Sequence, residues 1–176
     1  MGIDETKNSI GKRILVIGSP GSGKSTFAGK LSRKTGLPLF YLDMLYHTPE
    51  KNTVPREVFD AALEEILKKD RWIIDGNYMR TLPRRLSFCD TVFFFDLPRQ
   101  ECIEGARQRI GKQRADMPWI EEKFDPEFRQ YILDFPNDQT PKIYDLLNRN
   151  KDGKNLVVFH RREEANAFLN ERNTAV

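Results

Sequence analysis

The sequence lacks the features that mark membrane, secreted and metal-stapled proteins. None of its apolar runs approaches the ~20 residues of a membrane-spanning helix, so we expect no membrane partner. Residues 1–12 are polar and contain no secretion-type apolar segment, which predicts a flexible N-terminus and a cytoplasmic protein. Its two cysteines and two histidines fit no disulfide or zinc spacing. The net charge of +3 suits an anionic small molecule as well as a nucleic acid, so charge alone decides nothing.

A glycine-rich stretch following an apolar run is the most informative part of the chain. Residues 18–25 fit the phosphate-loop pattern G-x-x-x-x-G-K-[ST], with a strand-like run before them and a helical pattern after them. The glycines let successive backbone N–H groups turn toward an anionic phosphate at a helix N-terminus. Lys24 supplies a charge for the β- and γ-phosphates, and Ser25 supplies a hydroxyl for Mg²⁺. We therefore predict ATP binding by Gly18, Ser19, Pro20, Gly21, Ser22, Gly23, Lys24, Ser25 and Thr26.

Apolar runs alternate with helical patterns along the rest of the chain. Continuous apolar runs predict buried strands at residues 14–17, 39–42, 72–74, 91–96 and 155–159. Gly36 and Pro38 end the first helix near Thr35, and Asp125-Pro126 and Thr140-Pro141 open later ones. This alternation is typical of parallel βαβ units in a three-layer α/β fold, here a single domain over residues 13–172.

Two aspartates are candidates to organise Mg²⁺ opposite Ser25. Asp75 follows the strand at 72–74, and Gly76 beside it would let a ligand approach closely. Asp96 ends a more apolar strand, but Pro98 close by is equally consistent with a structural turn. We favour Asp75 and keep Asp96 as the alternative.

A basic segment with few apolar residues predicts a lid. Residues 110–124 are glycine-interrupted, and Arg107, Arg109, Lys112 and Arg114 lie in or just before them. Arginine forks suit triphosphate oxygens, so we assign Arg109 and Arg114 to the γ-phosphate and, with Lys24 and Asp75, to catalysis. The alternative is a solvated charged face, which is the usual role of such runs.

The acceptor would lie beside the second and third strands. Asp43 stands at the C-terminal end of the second strand, where open parallel sheets hold their ligands. Asn77 and Arg80 follow the third strand, and residues 43–70 form the acceptor-side region. The alternative for Asp43 is a loop-capping aspartate.

Two other nucleotide-hydrolase classes fit the sequence poorly. A GTPase would carry Asn-Lys-x-Asp, whereas residues 150–153 read Asn-Lys-Asp-Gly, with the aspartate one position early. A motor ATPase would carry a carboxylate pair after a strand, yet Asp75 precedes Gly76 and Asp96 precedes Leu97.

These motifs together resemble the small P-loop kinases of the adenylate kinase and shikimate kinase superfamily. The likeness rests on the phosphate loop, Leu42-Asp43, residues 74–76 and residues 95–98. More narrowly, residues 72–78, 114–117 and 122–125 are similar to the bacterial DNA topology modulation proteins. The resemblance implies a five-stranded parallel sheet in the order 2-3-1-4-5. It also implies adenine between Arg107 or Arg109 and the loop at 160–162, which makes Arg107 and Arg161 cofactor-binding residues.

The sequence departs from adenylate kinases on the acceptor side. Those enzymes place Pro-Arg shortly after Asp-Gly, whereas residues 77–79 intervene here before Arg80. We therefore predict ATP- and Mg²⁺-dependent phosphoryl transfer to an unidentified nucleotide, nucleoside or metabolite. The alternative is an ATP-binding regulatory protein associated with DNA topology, although no element of the sequence reads DNA.

Overall fold

The strands of the protein assemble into one parallel sheet, seen here in a computed structural model that describes residues 10–171. The five strands are β1 (Arg13–Gly18), β2 (Leu39–Tyr41), β3 (Trp72–Asp75), β4 (Thr91–Phe95) and β5 (Asn155–Phe159). They pair in the order β2-β3-β1-β4-β5 with every neighbour parallel. The predicted α/β class and strand order are confirmed. The N-terminal segment predicted to be flexible lies largely outside the described residues.

Within the described part of the chain, eight helices connect the strands and cover the sheet. They are α1 (Lys24–Thr35), α2 (Leu42–Tyr46), α3 (Arg56–Leu67), α4 (Leu82–Leu86), α5 (Arg99–Gln108), α6 (Pro126–Asp138), α7 (Thr140–Arg149) and α8 (Arg162–Glu171). Gly36 ends α1 in the left-handed conformation, as the Gly-Pro signal predicts. Asp125 caps α6 by accepting a hydrogen bond from the Phe128 N–H at 2.9 Å.

Both faces of the sheet are buried, which explains the continuous apolar runs of its strands. Successive residues of β1 alternate between two hydrophobic clusters: Ile14 and Val16 belong to one, and Leu15 and Ile17 to the other. A strand packed on both faces has no polar face to show in its sequence. No helix among residues 10–171 has the length and apolar character that crossing a bilayer requires.

An aromatic cluster fixes α1 on the sheet. Phe27 makes edge-to-face contacts with Phe93, Phe95 and Phe159, whose ring centroids lie 5.0, 5.3 and 5.5 Å away. Because Phe27 lies three residues after Lys24, this packing also fixes the start of α1. The phosphate loop is thus held between a buried strand and an anchored helix.

The second strand ends one residue earlier than predicted. β2 stops at Tyr41, and α2 begins at Leu42, so Asp43 lies in the first turn of a short helix instead of at a strand end. Leu42 is fully buried, and apolar burial alone does not distinguish a strand from a helix over so few residues. Asp43 nevertheless remains next to the C-terminal edge of the sheet.

Candidate active site

The phosphate loop turns sharply between β1 and α1. Gly21 and Gly23 have φ angles of 78° and 92°, which side-chain-bearing residues rarely adopt. A Cβ on Gly21 would lie 2.0 Å from the carbonyl oxygen of Cys102 in α5, so this glycine is also required for packing. Gly23 is the N-cap of α1, and the first-turn N–H groups of that helix therefore face the end of the loop.

The loop between β3 and α4 supports the phosphate loop through Asn77. The Gly18 N–H donates to Asn77 Oδ1 at 2.8 Å, and Asn77 Nδ2 donates to the Gly18 carbonyl. The Asn77 amide was predicted to bind the acceptor, but in this structure both of its ends bond to the backbone of Gly18. These two hydrogen bonds are explained if Asn77 positions the phosphate loop.

Ser25 and Asp75 meet at the carboxyl edge of the sheet. Ser25 Oγ donates a 2.6 Å hydrogen bond to Asp75 Oδ2, and Asp75 is only 4% exposed. Burial raises the pKa of Asp75 to about 6, while Lys24 and the Ser25 hydrogen bond offset part of that rise. Asp75 Oδ1 is buried and has no hydrogen-bond partner among residues 10–171. This oxygen is available to a ligand.

The rival carboxylate, Asp96, has partners of its own. Tyr144 of α7 donates to Asp96 Oδ2 at 2.7 Å, and His160 Nδ1 lies 3.7 Å from the same oxygen. Neither Asp75 nor Asp96 lines the cavity above the phosphate loop, but Asp75 is hydrogen-bonded to Ser25, which does line it. The geometry therefore favours Asp75 over Asp96 as the carboxylate next to the phosphate loop.

A cavity of about 590 Å³ lies above the phosphate loop. Its walls come from the loop, the exposed side of α1, the end of α5, the lid and the start of α8. Of the predicted residues, those that line it are Gly21, Ser22, Gly23, Lys24, Ser25, Thr26, Arg109 and Arg114. Ser19, the second residue of the loop, is buried, and its hydroxyl donates to the Pro20 carbonyl at 3.2 Å. Gly18 lies at the end of β1.

The segment between α5 and α6 contains the predicted lid and carries two arginines over the loop. Arg114 Nε lies 3.3 Å from Asp116 Oδ1, and Arg114 Nη1 lies 3.3 Å from Glu121 Oε2. Burial lowers the pKa of Arg109, and the like charge of Arg114 lowers it further. Arg109 Nε is buried without a hydrogen-bond partner in the described chain. The two guanidinium groups that were predicted to clamp the γ-phosphate are therefore brought together at one wall of the cavity.

The other two predicted cofactor arginines lie apart from this wall. Arg107 is 61% exposed and pairs with Glu104 at 3.8 Å, and Arg161 is 72% exposed and pairs with Glu164 at 3.5 Å. Neither lines the cavity. Their contact with adenine stays a prediction that this arrangement does not support.

On the acceptor side, Asp43 and Arg80 contact other protein groups. Tyr78 Oη donates to Asp43 Oδ1 at 2.6 Å, and Tyr78 stacks on Phe59 with ring centroids 5.2 Å apart. Arg80 donates two hydrogen bonds to Asp60 of α3, at 3.1 and 2.5 Å. Neither Asp43, Asn77 nor Arg80 lines the cavity. Their roles in acceptor binding stay predictions.

The lid reaches the acceptor side through one aromatic contact. The rings of Trp119 and His47 meet edge to face with centroids 4.7 Å apart. Since Trp119 lies five positions after Arg114, this contact places the lid across both the phosphate loop and the loop that follows α2.

Three polar residues of the site were not singled out from the sequence. Arg85 is fully buried and donates to the carbonyls of Gly76, Asn77 and Tyr78, which fixes the loop after Asp75. Asp116 of the lid is buried beside Arg114. Arg162, at the first position of α8, donates from Nη2 to the Gly21 carbonyl at 2.7 Å and to the Glu101 carbonyl at 3.0 Å. A cluster of arginines in sequence does not reveal which one turns inward.

The oxygen groups of Ser25 and Asp75 suit a Mg²⁺ ion whose shell is completed by other groups, and not a metal ion held by protein side chains alone. No group of three or more His, Cys, Asp or Glu side chains within residues 10–171 could hold a metal ion. Mg²⁺ is usually held by one or two protein oxygens, with waters and substrate phosphates completing its shell. The Ser25 hydroxyl and the Asp75 carboxylate, whose Oδ1 has no partner within residues 10–171, meet that requirement.

Comparisons with known proteins support the fold. The protein-family models contain no match to the sequence, and the curated proteins contain no significant match. Among solved structures, a protein from Chloroflexus aurantiacus J-10-fl described as a putative kinase is 18% identical with a TM-score of 0.53; the match covers 93% of this chain and 97% of that one.

Two shikimate kinases match over similar lengths. The enzyme from Aquifex aeolicus VF5 is 18% identical with a TM-score of 0.51, over 92% of this chain and 93% of that chain. The enzyme from Bacteroides thetaiotaomicron is 16% identical with a TM-score of 0.54, over 92% of this chain and 96% of that chain. At these identities the likeness shows a shared fold, a five-stranded parallel sheet in the order β2-β3-β1-β4-β5 with helices on both sides. The narrower resemblance to DNA topology modulation proteins is not supported.

Proposed function

We propose that this protein is an ATP- and Mg²⁺-dependent kinase that transfers the γ-phosphoryl group to a small-molecule acceptor. The hydrogen bond between Ser25 and buried Asp75, beside Lys24 and beneath the cavity, carries the proposal. A hydroxyl and a carboxylate in this arrangement suit Mg²⁺, and the loop amides and Lys24 suit a polyphosphate. The solved shikimate kinases share this fold, which is consistent with phosphoryl transfer but leaves the acceptor open.

Each site residue has a defined task in this proposal. Lys24 neutralises and positions the β- and γ-phosphates, while Ser25 and Asp75 hold the metal. The metal, when bound, supplies charge neutralisation on the phosphate oxygens. Arg109 and Arg114 would approach the γ-phosphate from the lid, which can also keep water away from the transferring group.

The acceptor hydroxyl or phosphate would lie beside Asp43. Its Oδ1 is occupied by Tyr78, whereas no hydrogen bond to Oδ2 is recorded within residues 10–171. That oxygen could orient an acceptor group, or accept its proton, as the phosphoryl group leaves ATP. Arg80 would have to break its hydrogen bonds to Asp60 before it could bind the acceptor.

Replacing Lys24 tests the proposal most directly. We expect Lys24→Ala to lower ATP turnover by about 10²-fold or more, the scale of losing one preorganised charge in a polar site. Turnover would be measured as ADP release with nucleosides, nucleoside monophosphates and small hydroxy metabolites as acceptors. The matched control is Lys69→Ala, which removes an exposed lysine just after α3.

The same assays distinguish the kinase from a nucleotide-gated regulatory protein. Turnover stimulated by one small molecule supports the kinase. Duplex DNA binding that weakens steeply with salt, without any acceptor effect, would support the regulatory alternative. If ATP shows no magnesium-sensitive association with the purified protein, both are wrong.

A further inference from the structure

Arg162 lies in the wall of the phosphate site, at a position that the phosphate-loop motif does not include. It is separated from Gly21 by 141 positions, yet its Nη2 donates to the Gly21 carbonyl at 2.7 Å. The same nitrogen donates to the Glu101 carbonyl in α5 at 3.0 Å. One end of the guanidinium is therefore fixed by two backbone carbonyls, and the side chain joins the phosphate loop, α5 and α8.

The rest of this guanidinium faces the glycines of the loop. A Cβ built on Gly23 would have Arg162 Nε, at 3.9 Å, as its only neighbour within 4 Å. A Cβ on Gly105 would lie 2.4 Å from Arg162 Nη2, so α5 leaves space for the guanidinium by having no side chain there. Arg162 also lines the cavity above the loop. Its position depends on Gly105, whereas a Cβ on Gly23 would only be in van der Waals contact with it.

Arg162 Nε is buried and has no hydrogen-bond partner among the described residues. An unpaired buried N–H is unfavourable, and more so on a charged group, unless a ligand or water completes it. Ser22 Oγ, in the same cavity wall, is also buried and unpaired. A polar ligand that accepts hydrogen bonds would satisfy both groups.

We infer that Arg162 is a phosphate-binding residue that contacts the α- or β-phosphate of the bound nucleotide. The backbone N–H groups of a phosphate loop cradle the α- and β-phosphates, and Arg162 is bonded to that loop instead of to the lid. Its contact is therefore with groups that ATP and ADP share. This inference rests on the proposed function, since it needs the loop to bind a nucleoside polyphosphate.

Binding measurements on the full chain test the inference without knowledge of the acceptor. We expect Arg162→Gln to weaken MgATP and MgADP by a similar factor of about tenfold to a hundredfold, the scale of a charge-assisted hydrogen bond. The Arg162→Lys variant keeps the charge and should recover part of that loss. Affinities would be measured by isothermal titration calorimetry, and the thermal stability of each nucleotide-free variant by calorimetry.

An exposed arginine outside the site provides the matched control. The Arg149 side chain is 72% exposed and pairs with Asp145, so Arg149→Gln should leave both affinities within about twofold of wild type. If Arg162 only holds the fold together, Arg162→Gln would lower the stability of the nucleotide-free protein but leave the affinity of the folded protein unchanged, and the inference is wrong. A loss confined to MgATP would place Arg162 at the γ-phosphate and would also overturn it. If wild type binds neither nucleotide, the proposed function itself fails.

Discussion

The phosphate-loop side and the acceptor side of this protein differ in what their polar groups contact. Around the loop, Asp75 Oδ1, Arg109 Nε and Arg162 Nε are buried without partners in residues 10–171. On the acceptor side, Arg80 is paired with Asp60, and Arg84 is paired with Glu64 through two hydrogen bonds of 2.9 and 3.0 Å. Charged groups beside the phosphate loop are buried without partners, whereas the two acceptor-side arginines are paired with carboxylates.

This difference is the reason that we propose a ligand class for the phosphate-loop side and none for the acceptor side. Buried unpaired groups of both signs are unfavourable unless a ligand of matching chemistry completes them. A polyphosphate with a bound cation would provide both signs: its oxygens would accept from the guanidinium groups, and the cation would pair with Asp75. The charges of the acceptor side require no ligand, so they do not identify one.

The largest effect that would sharpen this contrast is expected at Asp75. Asp75→Asn removes the charge while keeping the shape, and we expect ATP turnover to fall by about 10²–10³-fold. The matched control is Asp96→Asn, whose amide oxygen can still accept the hydrogen bond from Tyr144. Equal losses in the two variants, measured as ADP release, would remove the distinction between the two carboxylates.

The pH profile provides a second measurement of the same Asp75 charge. Because burial raises the pKa of Asp75 to about 6 in the folded protein, wild-type turnover should fall as pH drops below about 6. The folded-state pKa lies above the ordinary aspartate value of 3.8, so ionisation disfavours the folded state. The Asp75 contribution to the free energy of unfolding therefore decreases as pH rises from about 4 to about 6, and Asp75→Asn should lack it. A wild-type turnover that stays flat down to pH 5 would contradict this.

A smaller effect is expected from the lid. Arg114→Lys keeps the positive charge but loses the planar fork that can meet two oxygens, so we expect MgATP turnover to fall by about tenfold. Lysine can still pair with Asp116 and Glu121, which limits damage to the lid. Arg107→Lys is the control, since Arg107 is exposed and lies outside the cavity. If Arg107→Lys lost more turnover than Arg114→Lys, the assignment of Arg107 and Arg114 would be reversed.

The smallest effect is expected on the acceptor side. Arg80→Ala breaks a pair whose side chains are 45% and 40% exposed, and such exposed pairs contribute little to the free energy of unfolding. Chemical denaturation would measure that change, and calorimetry should show an unaltered affinity for MgATP. A clear loss of MgATP affinity would show that the two regions are not separate.

Features set by local sequence were predictable. The phosphate loop was recognisable because its glycines, Lys24 and Ser25 must be adjacent to build it. The continuous apolar runs of the strands likewise indicated a parallel sheet, because burial on both faces makes every residue of such a strand apolar. The cap at Asp125 also formed as predicted.

Features set by contacts between distant segments were not predictable. Asn77 was assigned to the acceptor, yet its amide bonds to Gly18, 59 positions away. Arg162 bonds to the carbonyl of Gly21, 141 positions away, and no sequence pattern singled it out. The nucleotide contact of Arg161 stays a prediction.

The sequence by itself determined the α/β class, the location of the phosphate loop and the identity of Lys24 and Ser25 as its polar groups, because these depend on neighbouring residues. Only the tertiary structure decided that Asp75 and not Asp96 faces Ser25, and that Arg109, Arg114 and Arg162 line one cavity. The physical reason is that burial and pairing of a charge depend on which distant groups the folded chain brings beside it.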